Sequence, residues 1–419
     1  MPDRRYLHGQ GEEVVRVLET GDHLVALAAD ASAVEVIPAY PITPQTQIIE
    51  KIAELIAAGK MDAEYIPVES EHSACAALVS ASLTGVRAFS ATSSHGLAYM
   101  HEMLHYAAGI RVPVVMANVN RALGPGWNIW CDHQDSLSQR DTGWLQVYVA
   151  SHQEAVDTVI QAFRITEDHS VLLPLMLNLD AFVISHTYMD ADVPSREQVA
   201  GFLPPYKPVW KLDARKPVTH GSVVYPEDFS ETRESMQVGY ENARGVIKRA
   251  AEEFHDAFGR WHGELVESYM LSDARFVIIA MGSIAAEARV AVDSLRGQGK
   301  EAGLLRVRFF RPFPTEELRD LCAGREGLLV IDRDCSYGNQ GALFTETKGA
   351  LFGKVDVPAR NLIVGLGGRD VTFELIEKMT QKAWDGDMDE VTWGDSRVTS
   401  SHEVSREILR EFGGFLKEK

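Results

Sequence analysis

The sequence predicts an α/β protein of two units, and three observations predict it. Short apolar or β-branched runs alternate with helical patterns through the first half of the chain, and again from Phe276. At 419 residues the chain is long for one hydrophobic core. Between the two series, residues 190 to about 229 turn rich in proline and aromatics and lose any regular period.

Taken in order, the chain opens on a polar lead-in to about Glu19, with a short helical run at Val14, Val15 and Val17. Thr20-Gly21-Asp22 punctuates, and residues 24–29 read as a helix. Val34, Val36 and Ile37 form a short strand whose ladder Pro38 and Pro41 stop. Thr43 then suits an N-cap and Pro44 the first position of a helix. Ile48, Ile49, Ile52, Leu55 and Ile56 give that helix its apolar face, and Gly59 ends it. Such a turn aims free N–H groups beyond the strand end, where open α/β sheets bind anionic ligands, although it also reads as an ordinary capped turn.

Three strand–helix units follow. Tyr65-Ile66-Pro67-Val68 leads into a small-residue helix over 72–83. Arg87-Ala88-Phe89-Ser90-Ala91 leads through Thr92-Ser93-Ser94-His95-Gly96 into a helix ending near Gly109. Residues 112–119 are a strongly apolar strand. Residues 120–143 form a long loop dense in Gly, Pro, Asn, Asp and Trp, the kind of segment that carries function. Residues 152–165 read as a helix, 171–177 as a strand and 231–270 as a long helix. The second series opens with the run 276–283 and continues with strands at 303–307, 327–331 and 361–364. The expected division is 1–235 for the first unit with its extended connection, 236–270 for a helical linker, 271–385 for the second unit and 386–419 for a polar tail. An amphipathic patch in the tail (Val404, Ile408, Leu409, Phe412) suits contact with another subunit.

The net charge of −19 argues against nucleic-acid and anionic-membrane partners. The start, Met-Pro-Asp-Arg-Arg-Tyr, lacks the apolar core of a signal peptide, and no apolar run approaches the ~20 residues of a membrane span, so a cytoplasmic location is expected. Cys75, Cys131, Cys322 and Cys335 are scattered, which fits neither a disulfide framework nor an iron–sulfur ligand set.

Candidate chemistry sits in a few stretches. Glu69-Ser70-Glu71-His72-Ser73 opens a helix, where a carboxylate is favoured by the dipole alone. Arg121 follows a buried strand, at an edge where its planar fork suits either a carboxylate ligand or a structural ion pair. Asp132-His133-Gln134-Asp135-Ser136 offers ligand types for a metal, but within one short loop, so loop ordering or lining of a site mouth is preferred and no metal is assigned. His101-Glu102-Met103-Leu104-His105 fits the zinc-protease pattern without a third ligand and supplies a zinc-hydrolase alternative. Gly365-Leu366-Gly367-Gly368-Arg369-Asp370 lacks dinucleotide spacing and reads as tight turns or close packing.

An ordered series of motifs resembles the 2-oxoacid:acceptor oxidoreductases, the pyruvate:ferredoxin oxidoreductase superfamily, over roughly residues 21–380. It comprises Tyr40-Pro41-Ile42-Thr43-Pro44, Glu71, the Thr92-Ser93-Ser94-His95-Gly96 turn, Asn120-Arg121, the Asp132-to-Ser136 run with Arg140 and Gly143, and Arg311-Pro312-Phe313-Pro314. The likeness is to α subunits of multi-subunit members such as pyruvate synthase or phenylglyoxylate dehydrogenase. It implies a thiamine-enzyme pyrimidine-binding domain, a parallel sheet with helices on both faces, followed by a transketolase C-terminal-like α/β domain. It implies oxidative decarboxylation of a 2-oxoacid to acyl-CoA and CO2.

By the same resemblance Glu71, rather than Glu69, is the carboxylate bonded to N1′ of thiamine diphosphate, favouring the tautomer that removes the C2 proton. Thr43 and Arg121 hold the substrate, and Tyr40, Pro41, Ile42, Ser94 and His95 lie on the cofactor side. His95 stands where the family usually has glutamine. Gly124-Pro125-Gly126-Trp127 departs from the commoner loop, and its aromatic leaves pyruvate and an aryl 2-oxoacid such as phenylglyoxylate both open. The chain has no Gly-Asp-Gly…Asn motif for Mg²⁺ and diphosphate and no cluster cysteines. The resemblance therefore implies a β subunit for the diphosphate side and γ- and δ-type subunits for iron–sulfur clusters. Ferredoxin or an NAD-linked subunit is the acceptor, and coenzyme A the co-substrate. A non-catalytic scaffold retaining the fold is the remaining alternative.

Overall fold

Two parallel sheets frame the protein, and the computed structural model describes residues 5–8 and 12–396 together with Arg410. The strands of the first run, side by side, Glu64–Pro67, Val36–Ala39, Phe89–Thr92, Val115–Asn120, Leu175–Asp180 and Leu145–Tyr148. Central strands are buried on both faces, so they read as continuous apolar runs. Val115, Ala117 and Val119 pack on a layer containing the Gly21–Ala31, Thr46–Ala57 and His152–Thr166 helices. Met116 faces the opposite layer, with the Glu71–Leu83 and His101–Gly109 helices. The second sheet runs Val266–Tyr269, Ala302–Val307, Phe276–Ala280, Gly327–Asp332, Ala359–Ile363 and Val391–Trp393, with its first strand antiparallel.

The two units share a sheet edge. Phe309–Arg311 pairs antiparallel with Leu145–Tyr148 of the first sheet. Beneath that junction Arg306 and Arg308 both bond the buried Glu154 carboxylate, at 2.7 Å each. Burial pushes Glu154 up, but the two guanidinium groups more than offset it and hold its carboxyl well below the usual range.

Several expectations are corrected. Val14, Val15 and Val17 lie in the strand Glu12–Thr20, not a helix; pairing with Tyr188–Val193 overrides the local spacing. The region expected to be irregular thus contains that strand and the Arg196–Phe202 helix, opened by a Ser195/Gln198 capping box. Pro38 lies inside Val36–Ala39 and stops only one ladder. The alternate residues Glu35 and Ala39 accept bonds from the Glu64–Pro67 side, while Val36 bonds Arg87, so the N–H that Pro38 lacks would face Phe89–Thr92. Pairing on that side is one bridge, Val36 to Ala88.

Thr43 is not an N-cap. The helix begins at Thr46 behind Gln45, whose side chain closes the turn by donating to the Tyr40 carbonyl at 2.8 Å. The helix expected to reach Gly109 breaks at Met100 into Ser94–Tyr99 and His101–Gly109. The strand expected at 171–177 lies at Leu175–Asp180. The long helix spans Pro226–Phe258 and stops at Gly259, in the left-handed region (φ 69°); Val266–Tyr269 is already strand. Val404, Ile408, Leu409 and Phe412 lie outside the described residues.

Candidate active site

The C-terminal ends of four first-sheet strands, at Ala39, Pro67, Thr92 and Asn120, carry the candidate residues. Ser70 caps the helix Glu71–Leu83 by accepting the Ser73 N–H, so Glu71 is the first helical residue. Glu71 is 8% exposed as a residue, and among the described residues its carboxylate, whose oxygens still reach solvent, has neither hydrogen bond nor ion pair. Glu69 is exposed and accepts from the Ser73 hydroxyl, which lowers its pKa. Gly96 is what gives Glu71 its room. A Cβ at Gly96 would stand 2.7 Å from both Cγ and Oε1 of Glu71 and 2.8 Å from Oγ1 of Thr92. That threonine hydroxyl is buried and also unpartnered among the described residues.

Arg121 is 4% exposed. Its Nη1 donates to the Thr43 carbonyl at 2.8 Å and its Nε to the Asn128 carbonyl at 3.4 Å, and its guanidinium lies 5.6 Å from the Trp127 ring. No carboxylate pairs with it among the described residues, and burial pulls its pKa down. A buried cation whose partners are carbonyls is suited to an incoming anion. Thr43 is exposed, and its contact with Arg121 runs through its backbone. Tyr40 and Ile42 are half-buried and Pro41 exposed along the same turn.

Ser94 has a left-handed backbone (φ 51°). Its hydroxyl donates to the Ala122 carbonyl at 2.6 Å. His95 accepts the Gly124 N–H on Nε2 at 2.9 Å, which leaves Nδ1 as the ring N–H facing Ser94 Oγ at 3.2 Å. The ring packs on Trp127 at 5.2 Å, and Trp127 itself is 80% exposed.

Asp135 ties these pieces to one another. Its carboxylate accepts the backbone N–H groups of Ser94 (2.9 Å), Arg121 (3.1 Å) and Ser136 (2.7 Å), and the side-chain amides of Asn118 and Asn120. Burial raises its pKa, against the pull of those donors. The composition of the Asp132-to-Ser136 run suits loop ordering or lining of a site mouth and does not single out this residue. The loop role holds, and no pattern short of the three-dimensional strand order marks Asp135 as its centre.

Neither metal reading gains a site. Cys131, His133 and Asp180 bring ligand atoms within 4.8 Å of one another, but Asp180 already bonds His133 Nε2 (2.7 Å), Ser283 N (3.0 Å) and Arg333 Nη1 (3.0 Å). The guanidinium occupies the charge position a cation would take. No other such group of three forms among the described residues, so His101 and His105 lack a third ligand. Glu102 instead faces His72 at 3.4 Å.

A cavity of ≈ 390 Å³ lies elsewhere, among Arg140, Arg233, Tyr240 and Arg311. What the chain presents here is one wall: a carboxylate without a protein partner, a buried unpartnered hydroxyl beside it, and a buried cation. An aminopyrimidine fits the first two and a substrate carboxylate the third.

A family model described as pyruvate flavodoxin/ferredoxin oxidoreductase, thiamine diphosphate-binding, matches residues 27–252, and one for pyruvate:ferredoxin oxidoreductase core domain II matches 274–376. The chain is 47% identical over 386 residues to ketoisovalerate oxidoreductase subunit VorA of Pyrococcus abyssi, covering 90% of this chain and 97% of that one. It is 45% identical over 380 residues to pyruvate synthase subunit PorA of Methanothermobacter thermautotrophicus, covering 91% and 98%. Among solved structures, 2-oxoglutarate:ferredoxin oxidoreductase from Magnetococcus marinus, with 2-oxoglutarate, coenzyme A and succinyl-CoA bound, superposes with a TM-score of 0.66 at 15% identity. That match covers 88% of this chain and 65% of the other. A split-gene transketolase in an inactive β4 tetramer gives 0.52 at 12% identity, covering 88% and 97%. These two likenesses establish the fold.

Proposed function

Since the chain belongs to the pyruvate flavodoxin/ferredoxin oxidoreductase family, we propose that it is the α-type subunit of a multi-subunit enzyme that oxidatively decarboxylates a 2-oxoacid to acyl-CoA and CO2. It provides the pyrimidine-side wall of the active site. The observation that carries this reading is the pairing on one sheet edge of Glu71, buried without a partner, with Arg121, buried without a counter-ion.

Thiamine diphosphate, when bound, supplies the electron sink for decarboxylation. Glu71 holds a proton at N1′ of the pyrimidine, and its burial strengthens that bond. Thr92, Ser94 and His95 shape the wall beside it, with the turn of Tyr40, Pro41, Ile42 and Thr43 opposite. Arg121 takes the substrate carboxylate, and the Thr43 carbonyl orients its guanidinium. A β-type partner completes the diphosphate side with Mg²⁺, further subunits of γ and δ type carry iron–sulfur clusters, and ferredoxin or an NAD-linked subunit accepts the electrons. Coenzyme A takes the acyl group, and the complex is placed in the cytoplasm. The thiamine-side unit is assigned to residues 1–235 and the transketolase-like unit to 271–385, with Val266–Tyr269 and Val391–Trp393 on either side of that range completing the second sheet. Pyruvate, an aryl 2-oxoacid, and the branched 2-oxoacid named for the VorA relatives are the substrates to distinguish.

The test is acceptor reduction by the complex purified from its host, with coenzyme A and pyruvate, phenylglyoxylate or 2-ketoisovalerate. Turnover of one of them that depends on thiamine diphosphate and disappears in Glu71→Ala supports the reading. A Glu71→Ala complex with near wild-type activity, or no turnover of any 2-oxoacid, removes it.

A further inference from the structure

The glycine turn at Leu366–Gly368 has no part in the site as described, yet it grips the loop on which Arg121 depends. Gly367 and Gly368 both have positive φ (61° and 77°). The Gly367 carbonyl accepts Asn128 Nδ2 at 3.0 Å, and the Gly368 N–H donates to the Cys131 carbonyl at 2.7 Å. Contact is close enough that side chains are excluded. A Cβ on Gly367 would stand 2.5 Å from Asn128 Nδ2, and one on Gly368 would collide with Trp130. Asn128 in turn organises the loop from inside, with Oδ1 accepting the Trp130 N–H at 2.8 Å and its own carbonyl meeting Arg121 Nε. Ala122 N–H closes the loop by donating to the Trp130 carbonyl at 3.0 Å.

We propose that this turn of the second unit is a positioning element for 2-oxoacid binding: through Asn128 it fixes the orientation of the Arg121 guanidinium. The proposal rests on the reading of Arg121 as the carboxylate ligand. Arg121 has carbonyl partners at two places, and the Asn128 carbonyl is the one whose position a different unit of the protein sets. The Nε contact, at 3.4 Å, is the long one of the two, so a small displacement of the loop is enough to lose it. Trp127 precedes Asn128 directly, and its ring lies against both Arg121 and His95. The same grip therefore sets the aromatic wall over the carboxylate position. This accounts for glycines at 367 and 368 without invoking a nucleotide, and gives the second unit a role in the first unit's chemistry.

The experiment is steady-state kinetics on the assembled complex with the 2-oxoacid it turns over, for Asn128→Ala, Gly367→Ala, the double variant, and Arg121→Lys. Asn128→Ala and Gly367→Ala are each expected to raise KM for the 2-oxoacid about tenfold, with kcat and the affinity for thiamine diphosphate within about twofold of wild type. The double variant is expected to be no worse than either single one, because both act through the same contact. Arg121→Lys is expected to raise KM further. An unchanged KM in Asn128→Ala, additive effects in the double variant, or a parallel fall in kcat and thiamine diphosphate affinity overturns the positioning role while leaving Arg121 as ligand. An Arg121→Lys enzyme with wild-type KM overturns both. Should Gly367→Ala fail to assemble, Asn128→Ala, which only removes atoms, still decides.

Discussion

Gly96→Ala adds one methyl group at the point where Glu71, Thr92 and the Ser94–Tyr99 helix meet. The backbone tolerates it, since Gly96 sits in a helix without positive φ, and alanine favours a helix over glycine by about 1 kcal/mol. The methyl carbon would lie 2.7 Å from Cγ and Oε1 of Glu71, whereas unstrained carbon contacts need about 3.5–4.0 Å. The Glu71 carboxylate must therefore withdraw by roughly 1 Å, and overpacking costs about 1–3 kcal/mol, partly offset by the helix gain. Folding survives, with a Tm lower by a few degrees. Chemistry does not, because a misplacement of about 1 Å is worth roughly 10²-fold in rate. The assay is deuterium exchange at C2 of thiamine diphosphate in the assembled complex, quenched in acid and read by NMR, beside overall turnover. Both are expected to fall about 100-fold together. Wild-type exchange in a variant that binds the cofactor normally would mean that Glu71 is not the carboxylate at N1′, and the site assignment would be wrong.

The remaining expectations can be checked with single variants. Glu154→Gln leaves Arg308 buried without a carboxylate and Arg306 with Glu267 alone, at a cost of about 3–5 kcal/mol in urea unfolding near neutral pH. Because the folded Glu154 pKa is depressed, that margin is present above the unfolded value of about 4.3 and shrinks as pH falls below it; a margin that grows on acidification refutes the assignment. Asp135→Asn sets an amide N–H₂ against backbone donors that need an acceptor, so it costs about 1–3 kcal/mol and raises KM for the 2-oxoacid; a change in neither shows the hub to be dispensable. His101→Ala with His105→Ala retains 2-oxoacid turnover, and a zinc chelator leaves it unchanged; loss under either treatment revives the metal reading of that helix.

The parts of the fold that were legible are those where one physical demand dominates. Residues 115–119, 276–280 and 327–331 are strands because both faces are covered, which favours apolar residues throughout, with Asn118, bonded to Asp135, as the buried polar exception. Leu145–Tyr148 was invisible for the opposite reason. It has four residues, carries Gln146, and owes its pairing on one side to a strand from the other unit. Val14, Val15 and Val17 fit either period over so short a run, and the partner that decides, Tyr188–Val193, is remote in sequence. In the site, Glu71 and Arg121 border a legible helix and strand, yet position alone left them as a capping carboxylate and a structural arginine; the series of family motifs is what singles them out. Asp135 did not, since its partners at Ser94, Asn118 and Arg121 become neighbours only once parallel strands are ordered. Thr43 misled because its hydroxyl suits a cap, while the turn is closed by Gln45.

The strand exchange at Phe309–Arg311 bears on how this protein can be dissected. A truncation at the end of the long helix, near Gly259, looks natural from the element map, yet it would strip the covering strand from Leu145–Tyr148 and the two arginines from Glu154. The product would carry a raw sheet edge above an unpaired buried charge, a recipe for inclusion bodies rather than a free-standing module. A nick between residues 213 and 222 faces no such penalty: it falls in a largely exposed surface segment that lends no strand to either main sheet. Split-protein reporters and limited proteolysis should therefore be aimed there, where both halves stay clasped across the shared edge.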